Sequence, residues 1–450
     1  MPEQFGLIGM VGAFTGFALL FKDLGLSQAT VQQKDLTQEK VSNLFWINAC
    51  FGVITMMITV CMSPLIAWFY GDIRLRNITL ALSISFLFGG LTVQHNALLS
   101  RQMRFGLLTV IGIIASILGS VTGIILAYMG FDYWSLVWKS VSTSFFNASG
   151  TWFMCRWLPG LPRRRAGIRS MLKYGSDITG FNIVNYFSKN VDNILIGRFH
   201  GASSLGLYSK AYNLMYFPMQ RLRFPMTKVA FPALSALQND HERFREYYKK
   251  LNEILTFIYM PVVVYLGIYS ENIILLILGD KWMGAAVIFR ILAIGSFILP
   301  IASTPDVVLQ TCGLTRRYLK WGIVSASITI FSFALGVYWG AVGVAAAYTI
   351  VRFVTFYPSL WYRLRDTPIS ISFYFQSIIL PMFSSILVGC VLIFLARFFS
   401  FKSNVVEILV SLFAYSILYL GLWWSMPIGR KKLLEYCSYH KLLFQKPAMN

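Results

Sequence analysis

The side chains best suited to chemistry in this sequence are charged residues that interrupt long apolar segments. Eight are basic, namely Lys139, Lys189, Lys210, Arg221, Arg223, Lys228, Arg290 and Arg352, and three are acidic, namely Asp177, Asp192 and Asp306. A charge at the centre of a membrane helix costs about 2.5–3.5 kcal/mol on insertion scales, so such residues should face a cavity or a partner. The surplus of basic residues predicts a cavity that suits an anionic headgroup such as a pyrophosphate.

Three of the basic residues share a spacing that would align them on one helix. Lys210, Arg221 and Lys228 are 11 and 7 residues apart, and at about 100° per residue they fall within about 20° of one line. The alternative for Lys228 is a position near the cytoplasmic end, where it would reach lipid phosphates. We expect the substrate-binding residues to be Lys210, Arg221, Lys189, Arg290 and Lys139.

The acidic residues are candidates for coupling transport to an ion. Lys189 and Asp192 are neighbours at i, i+3 and could pair. Either Asp192 titrates and couples transport to protons or sodium, or the pair only neutralises itself. Asp306 follows Pro305, where a broken helix could expose backbone carbonyls to a cation. We therefore expect ion coupling at Asp192 and Asp306.

Two further polar residues are interpreted as structural. Arg352 directly follows the apolar run 321–351 and is expected near a cytoplasmic helix end, where its side chain would reach the headgroups. His95 lies in a semi-polar segment. It is interpreted as a packing histidine, with a proton relay as the alternative.

Long uncharged runs determine the elements that carry these residues. The chain is 56% hydrophobic and 13% charged, whereas a soluble domain is about 25% charged. Runs 41–70, 105–130, 367–396 and 408–428 each exceed the roughly 20 residues that span a bilayer. Run 321–351 is too long for one span and is predicted to break at Gly340-Ala341-Val342-Gly343. Counting weaker runs, the sequence predicts an all-α membrane protein with thirteen helices.

Lysine and arginine are distributed unevenly over the loops between these segments. The chain has 39 Lys and Arg against 18 Asp and Glu, a net charge of +21. One alternating set of loops, with the C-terminal tail, holds 25 basic residues, Arg363 among them, and the opposite set holds 6. The positive-inside rule places the richer set in the cytoplasm and accounts for the charge without a nucleic-acid partner. Thirteen helices with a cytoplasmic tail leave Met1 outside, so we expect one further helix upstream.

Weak internal similarity recurs at a constant offset. Residues 5–8 resemble residues 205–208, and other short matches are 200 to 211 residues apart. An even number of helices falls within this period, which predicts two parallel repeats. We predict an N-terminal bundle at 1–160 with five of six helices, a six-helix bundle at 161–365, two extra helices at 366–428, and a basic cytoplasmic tail at 429–450.

The sequence lacks the motifs of the common catalytic sites. It has no GxxxxGK[ST] phosphate loop, no HExxH and no GxSxG. Its six cysteines show neither metal-ligand nor redox spacing. We therefore expect a non-enzymatic protein that does not hydrolyse ATP and needs no metal or cofactor.

Several local strings resemble one transporter family. They are residues 2–10 (PEQFGLIGM), 23–29 (DLGLSQA), 190–197 (NVDNILIG), 205–213 (LGLYSKAYN) and 231–235 (FPALS). They resemble the polysaccharide-transporter branch, which contains the colanic acid and teichuronic acid exporters, of the multidrug/oligosaccharidyl-lipid/polysaccharide flippase superfamily. The resemblance implies a MATE-like fold of two six-helix bundles plus two C-terminal helices, with the first helix missing from this chain.

The same resemblance implies a function. The expected activity is that of a flippase that moves undecaprenyl-pyrophosphate-linked oligosaccharide repeat units from the cytoplasmic to the periplasmic leaflet of the bacterial inner membrane. These units would serve exopolysaccharide, capsule or O-antigen synthesis. The implied partners are this lipid-linked oligosaccharide, membrane lipids, a polysaccharide polymerase and a chain-length regulator.

Three alternatives remain open at this point. A MATE-type multidrug cation antiporter would favour an acidic cavity, whereas basic residues outnumber acidic ones here. A membrane enzyme such as an oligosaccharide polymerase should show a large periplasmic loop, and the outside loops are short. A relative of the peptidoglycan-precursor flippase fits the local strings less well.

Overall fold

The computed structural model describes residues 1–23, 26–32, 36–162, 169–398 and 403–444. The side chains of residues 20–23, 29, 32, 169–185, 187–189, 219, 222–229 and 437–444 lie outside the described part. Lys189, Arg223, Lys228 and Asp177 therefore have described backbones only. Within the described ranges the secondary structure is entirely helical, which confirms the predicted all-α class.

The first compact unit comprises Met1–Gly206. Its helices are α1 (Pro2–Asp23), α2 (Leu26–Gln32), α3 (Gln38–Tyr70), α4 (Arg74–Arg101), α5 (Phe105–Tyr128), α6 (Trp134–Cys155) and the first part of α7 (Arg169–Ala236). Helices α3 and α4 cross at Gly52 and Gly90, where a Cβ on Gly52 would lie 2.9 Å from the Phe86 carbonyl oxygen. Close backbone contact at such small residues is a common way for membrane helices to pack.

The second compact unit comprises Leu207–Asn450. It contains the rest of α7 and α8 (His241–Ile268), α9 (Ser270–Leu278), α10 (Gly284–Ser296), α11 (Leu299–Thr311), α12 (Thr315–Gly336), α13 (Gly340–Leu364), α14 (Ile371–Ala396), α15 (Asn404–Ser425) and α16 (Pro427–Phe444). The bundle boundaries predicted at 160 and 365 differ from this division into compact units and stay predictions.

Local sequence signals set the helix ends. Thr37, Asp240 and Ser370 precede α3, α8 and α14, and each side chain accepts a hydrogen bond from a backbone N–H of the first turn. Such caps satisfy donors that the helix leaves free. Gly201 interrupts α7 with φ 76° and ψ −179°, a conformation that glycine adopts readily. This break separates the two helices predicted around residues 172–199 and 205–237.

Seven described segments are long and apolar enough to cross a membrane, or eight if the bent pair α10 and α11 forms one span. One of them, Thr315–Leu364, is a hairpin of α12 and α13, because a 3-10 turn at Val337–Trp339 separates them. A Cβ on Gly343 would lie 2.3 Å from the Gly336 carbonyl oxygen. The break predicted at the glycine cluster is confirmed, whereas the predicted segment 282–310 is two helices, α10 and α11, bent by 42°.

Several buried polar side chains in the first unit are hydrogen-bonded within the protein. The Gln94 amide donates to Asn48 and accepts from the Thr30 hydroxyl, both at 2.9 Å. His95 is fully buried, its ring centroid lies 4.4 Å from that of Trp152, and Nε2 lies 3.2 Å from the Trp157 carbonyl oxygen. These aromatic contacts agree with the interpretation of His95 as a packing residue.

Candidate functional site

A half-buried basic side chain of the second unit, Arg352, lies midway along α13. Arg352 is twelve residues from either end of this helix, or about 18 Å at 1.5 Å per residue. The expectation that it sits near a helix end is therefore wrong. The uncharged run stops at residue 351, but α13 continues to Leu364, because a single arginine does not end a helix.

Three tyrosines surround this arginine. The Arg352 guanidinium lies over the Tyr348 ring, 4.2 Å from its centroid, and donates a hydrogen bond to the Tyr348 hydroxyl. The Tyr348 hydroxyl is 2.8 Å from that of Tyr216, and the Tyr216 ring stacks on Tyr212 with centroids 4.1 Å apart. We call Arg352, Tyr212, Tyr216 and Tyr348 the arginine–tyrosine cluster. It joins α7 to α13.

The cluster carries a fixed positive charge in an apolar bundle. Among the described side chains, no carboxylate forms an ion pair with Arg352, and its electrostatic neighbours are tyrosines. The face of an aromatic ring attracts a cation, and tyrosine hydroxyls can donate to an oxyanion. A guanidinium offers a planar fork of donors that matches phosphate oxygens. The cluster can therefore bind a phosphate-bearing group without a metal.

The predicted basic stripe on α7 is described in part. Lys210 is half-buried, whereas Arg221 is exposed and its guanidinium lies 5.3 Å from the centroid of the Phe217 ring. Lys228, the third member, lies outside the described side chains. Lys210 is two residues before Tyr212, so it is the member of the stripe nearest in sequence to the arginine–tyrosine cluster.

The other predicted basic residues lie elsewhere. Arg290 on α10 pairs with Glu271 at 2.9 Å and donates to the Ser270 hydroxyl at 3.0 Å. Lys139 on α6 is exposed, and its stem packs over Gly123 of α5, where a Cβ would meet the Lys139 Cδ at 3.5 Å. Arg290 is thus already neutralised by a carboxylate. Lys139 belongs to the first unit.

The two predicted coupling acids have different surroundings. Asp192 is buried in the first unit, and its Oδ1 accepts from the Asn193 N–H at 2.9 Å. Asp306 lies on α11 and pairs with Arg363 of α13 at 2.9 Å. Arg363 also donates to the Ala302 carbonyl at 2.7 Å. A guanidinium, rather than a free cation, therefore faces Asp306 in this structure.

Sequence reasoning missed Arg363 and the tyrosines for different reasons. Arg363 was assigned to a cytoplasmic loop, yet its side chain is 4% exposed and its partner Asp306 is 57 residues away. No local pattern signals such a pair. The tyrosines carry no charge, so the pattern of charged residues does not mark them. Tyr208, Tyr212 and Tyr216 recur every fourth residue, a spacing that places them on one helix face.

Comparisons with known proteins agree with this architecture. The profile of the family described as "Polysaccharide biosynthesis protein" matches residues 1–287. The teichuronic acid biosynthesis protein TuaB of Bacillus subtilis (strain 168) is 28% identical over 382 residues, which cover 84% of this chain and 79% of TuaB. The lipopolysaccharide biosynthesis protein WzxC of Escherichia coli (strain K12) is 24% identical over 394 residues, which cover 85% of this chain and 79% of WzxC.

A third relative is the succinoglycan biosynthesis transport protein ExoT of Rhizobium meliloti (strain 1021), 25% identical over 407 residues, which cover 88% of this chain and 81% of ExoT.

Among solved structures, the lipid II flippase MurJ in an inward closed conformation has a TM-score of 0.74 at 15% identity, covering 93% of this chain and 91% of MurJ. An inward-facing multidrug resistance MATE transporter has a TM-score of 0.63 at 14% identity, covering 81% of this chain and 90% of the transporter. These two structures show that the chain shares the fold of MurJ and of the MATE transporter. The family profile covers well over half of the chain, so this multi-pass membrane protein belongs to the polysaccharide biosynthesis protein family.

Proposed function

We propose that this protein moves undecaprenyl-pyrophosphate-linked oligosaccharide repeat units from the cytoplasmic to the periplasmic leaflet of the bacterial inner membrane. The printed names of its relatives support a role in making teichuronic acid, lipopolysaccharide or succinoglycan, and one names transport. The observation that carries the proposal is the arginine–tyrosine cluster, a fixed cation inside a membrane bundle. The repeat units would serve exopolysaccharide, capsule or O-antigen synthesis.

The substrate headgroup explains why a guanidinium would be retained there. A pyrophosphate brings several oxyanions, and charge-assisted hydrogen bonds to them contribute about 1.5–3 kcal/mol each. Arg352 would bind these oxygens in place of the tyrosine hydroxyl that it now contacts. Lys210 and Arg221, with Lys189, Arg290 and Lys139, stay proposed secondary contacts, and Asp192 and Asp306 stay proposed coupling residues.

The proposal includes a location and partners. The basic C-terminal tail would lie in the cytoplasm, as the positive-inside rule indicates. Beyond its lipid-linked substrate and membrane lipids, the protein would work beside a polysaccharide polymerase and a chain-length regulator. It would form and break no covalent bond, and would therefore not be an enzyme.

Complementation of an exporter-null strain tests the function. Wild-type protein should restore surface polysaccharide. Arg352→Gln, which removes the charge, should lower it roughly 10- to 150-fold, as expected for the loss of one contact of about 1.5–3 kcal/mol. Arg243→Gln is the matched control, because Arg243 is exposed, pairs with Asp240 at 3.3 Å and is not a proposed substrate contact. Equal export by wild type and Arg352→Gln, at equal protein levels in the membrane, would remove Arg352 from the proposal.

The multidrug antiporter is the weaker reading of the same fold. A cationic drug would be repelled by Arg352, for which no carboxylate partner exists among the described side chains. Rescue of drug tolerance, without rescue of polysaccharide, would favour the antiporter over the flippase.

A further inference from the structure

Four basic side chains of the second unit meet at the short connection between α13 and α14. From α8, the Arg245 guanidinium donates a hydrogen bond to the Pro368 carbonyl oxygen at 2.5 Å. From α12, Arg317 donates to the Arg365 carbonyl oxygen and pairs with Asp366 at 3.0 Å. Arg365 is itself the first residue of the connection. The fold therefore brings cations from three separate parts of the sequence to one loop.

The fourth cation lies one turn further along α8. Lys249 is four residues after Arg245, so the two side chains share a helix face with Cβ atoms about 5–6 Å apart. The Lys249 Nζ lies 5.7 Å from the centroid of the Phe373 ring at the start of α14. The Arg365 and Pro368 carbonyls that bind the two arginines are three residues apart, which is at most about 11 Å. We call this compact set the basic patch, namely Arg245, Lys249, Arg317 and Arg365.

One carboxylate balances the four charges of the basic patch among the described side chains. Asp366 pairs with both Arg317 and Arg365, at 3.0 and 3.7 Å. Arg245 and Lys249 form no ion pair with a described carboxylate, and their partners are a backbone carbonyl and an aromatic ring. The basic patch therefore keeps a surplus of positive charge.

Two neighbouring cations on α8 are neutralised instead. Arg243 pairs with Asp240 at 3.3 Å, and Lys250 pairs with Glu435 at 3.2 Å. Exposed carboxylates on the same stretch of α8 form no ion pair with a described residue, namely Glu242 and Glu246. The positive-inside rule explains why this end of the bundle is basic, but it does not explain why two of its cations bind the loop in place of carboxylates.

A surplus of this kind suits a phosphate-bearing ligand. A guanidinium offers parallel donors that match phosphate oxygens, and an ammonium binds them as a point charge. A positive surface also raises the local concentration and the association rate of an anion. The proposed function places this loop in the cytoplasm, on the side from which the lipid-linked oligosaccharide would enter.

The basic patch is distinct from the arginine–tyrosine cluster. Arg365 follows Arg352 by thirteen residues, which is about 20 Å along α13. Between them, Arg363 is already paired with Asp306 at 2.9 Å. One headgroup therefore cannot contact both places at once, and the basic patch would act as a second site.

We propose that the basic patch binds the pyrophosphate headgroup of the lipid-linked substrate at the cytoplasmic surface, before the headgroup reaches Arg352. The inference rests on the proposed function for the identity of the lipid, but not for the affinity of the patch for phosphate oxygens. An anionic phospholipid headgroup carries the same oxyanions, so the experiment must separate the two sources.

Binding of undecaprenyl pyrophosphate to the protein in nanodiscs of a zwitterionic phospholipid tests the site. An Arg352→Gln background removes the contribution of the arginine–tyrosine cluster. In this background, Arg245→Gln/Lys249→Gln should weaken binding about three- to tenfold at low salt, and the difference should shrink as salt screens the charges. Arg243→Gln/Lys250→Gln is the matched control, because it removes the same two charges from the same stretch of α8 and should leave binding unchanged.

Two single variants separate binding from folding. Arg245→Lys keeps the charge and should bind as its parent does. Lys249→Gln loses no hydrogen bond to a described residue, so the fold should persist, and binding should weaken by about two- to threefold. Unchanged binding in Lys249→Gln would contradict its place in the site.

The outcomes separate this inference from the proposed function. Equal binding by the two double variants would overturn the basic patch as a site. Displacement of undecaprenyl pyrophosphate by an equal concentration of phosphatidylglycerol would assign the patch to phospholipid and reject substrate capture.

Transport in proteoliposomes gives the second readout. Arg245→Gln/Lys249→Gln, with Arg352 intact, should raise the mole fraction of lipid at which translocation is half-maximal and leave the maximal rate unchanged, since the patch acts before translocation. An unchanged half-maximal mole fraction would also reject capture. Failure of the wild-type protein to translocate the lipid would instead reject the proposed function, while the binding comparison would still decide whether the patch holds phosphate.

Discussion

Removal of the Asp306 carboxylate should destabilise the second unit. The Arg363 side chain is 4% exposed and receives its only carboxylate contact among the described residues from Asp306, at 2.9 Å. In Asp306→Ala the guanidinium would keep the Ala302 carbonyl and the Ser359 backbone as acceptors, but its charge would be buried without a counterion.

The size of this effect follows from the burial of the two partners. Breaking a buried ion pair by removing one partner costs about 3–5 kcal/mol. Since a quarter of the Asp306 side chain is exposed, water can partly replace the carboxylate, and we expect the lower limit of about 3 kcal/mol. Removing both charges in Asp306→Leu/Arg363→Met should restore most of that loss, because no charge then stays buried.

Thermal unfolding of the purified protein in detergent measures this order of stability. We expect wild type and the double variant to melt at similar temperatures and Asp306→Ala to melt clearly below both. A melting temperature for Asp306→Ala equal to that of wild type would refute the reasoning. So would a double variant that melts below Asp306→Ala, since the pair would then contribute net stability through its charges.

Two further predictions concern packing and pH. Gly343→Ala should lower the free energy of unfolding by about 1–3 kcal/mol, because the added Cβ would lie 2.3 Å from the Gly336 carbonyl oxygen. The same melting experiment measures this loss. Gly322→Ala is the control, because no atom lies within 4 Å of the Cβ that it would add. The hydrogen bond from Arg74 lowers the pKa of the Asp72 carboxyl in the folded protein. The contact therefore stabilises the fold fully at pH values above the ordinary aspartate pKa of about 3.9. This stabilisation is lost as the pH falls through the lowered pKa of Asp72 in the folded state. Asp72→Asn should therefore be less stable than wild type by up to about 1 kcal/mol at neutral pH, with the difference shrinking below about pH 4; a constant difference across that range would contradict the assignment.

Local signals made part of the fold predictable. The hairpin of α12 and α13 was predictable because glycines permit the backbone turn at residues 337–340, wherever the rest of the chain lies. Apolar length likewise predicted the membrane helices, since the hydrocarbon core sets how many residues a span needs. These features depend on neighbouring residues and on the bilayer alone.

The candidate site was less predictable because it depends on distant residues. Arg363 meets Asp306 across 57 residues, and Arg352 is linked to Tyr216 of another helix through the Tyr348 hydroxyl. A charge scan finds the arginines but cannot tell an interior arginine from one at a helix end. It finds no tyrosines, although their hydroxyls and rings surround Arg352.

Transport in proteoliposomes tests the central claim most directly. Purified protein would be reconstituted with undecaprenyl-pyrophosphate-linked oligosaccharide, and its appearance in the opposite leaflet would be followed with a membrane-impermeant sugar-modifying enzyme. We expect rapid translocation by wild type and Arg243→Gln, and translocation slowed at least about tenfold by Arg352→Gln. The proposed function would be contradicted if wild-type protein translocated the lipid no faster than protein-free liposomes do. The role of Arg352 would be contradicted if Arg352→Gln translocated it at the wild-type rate.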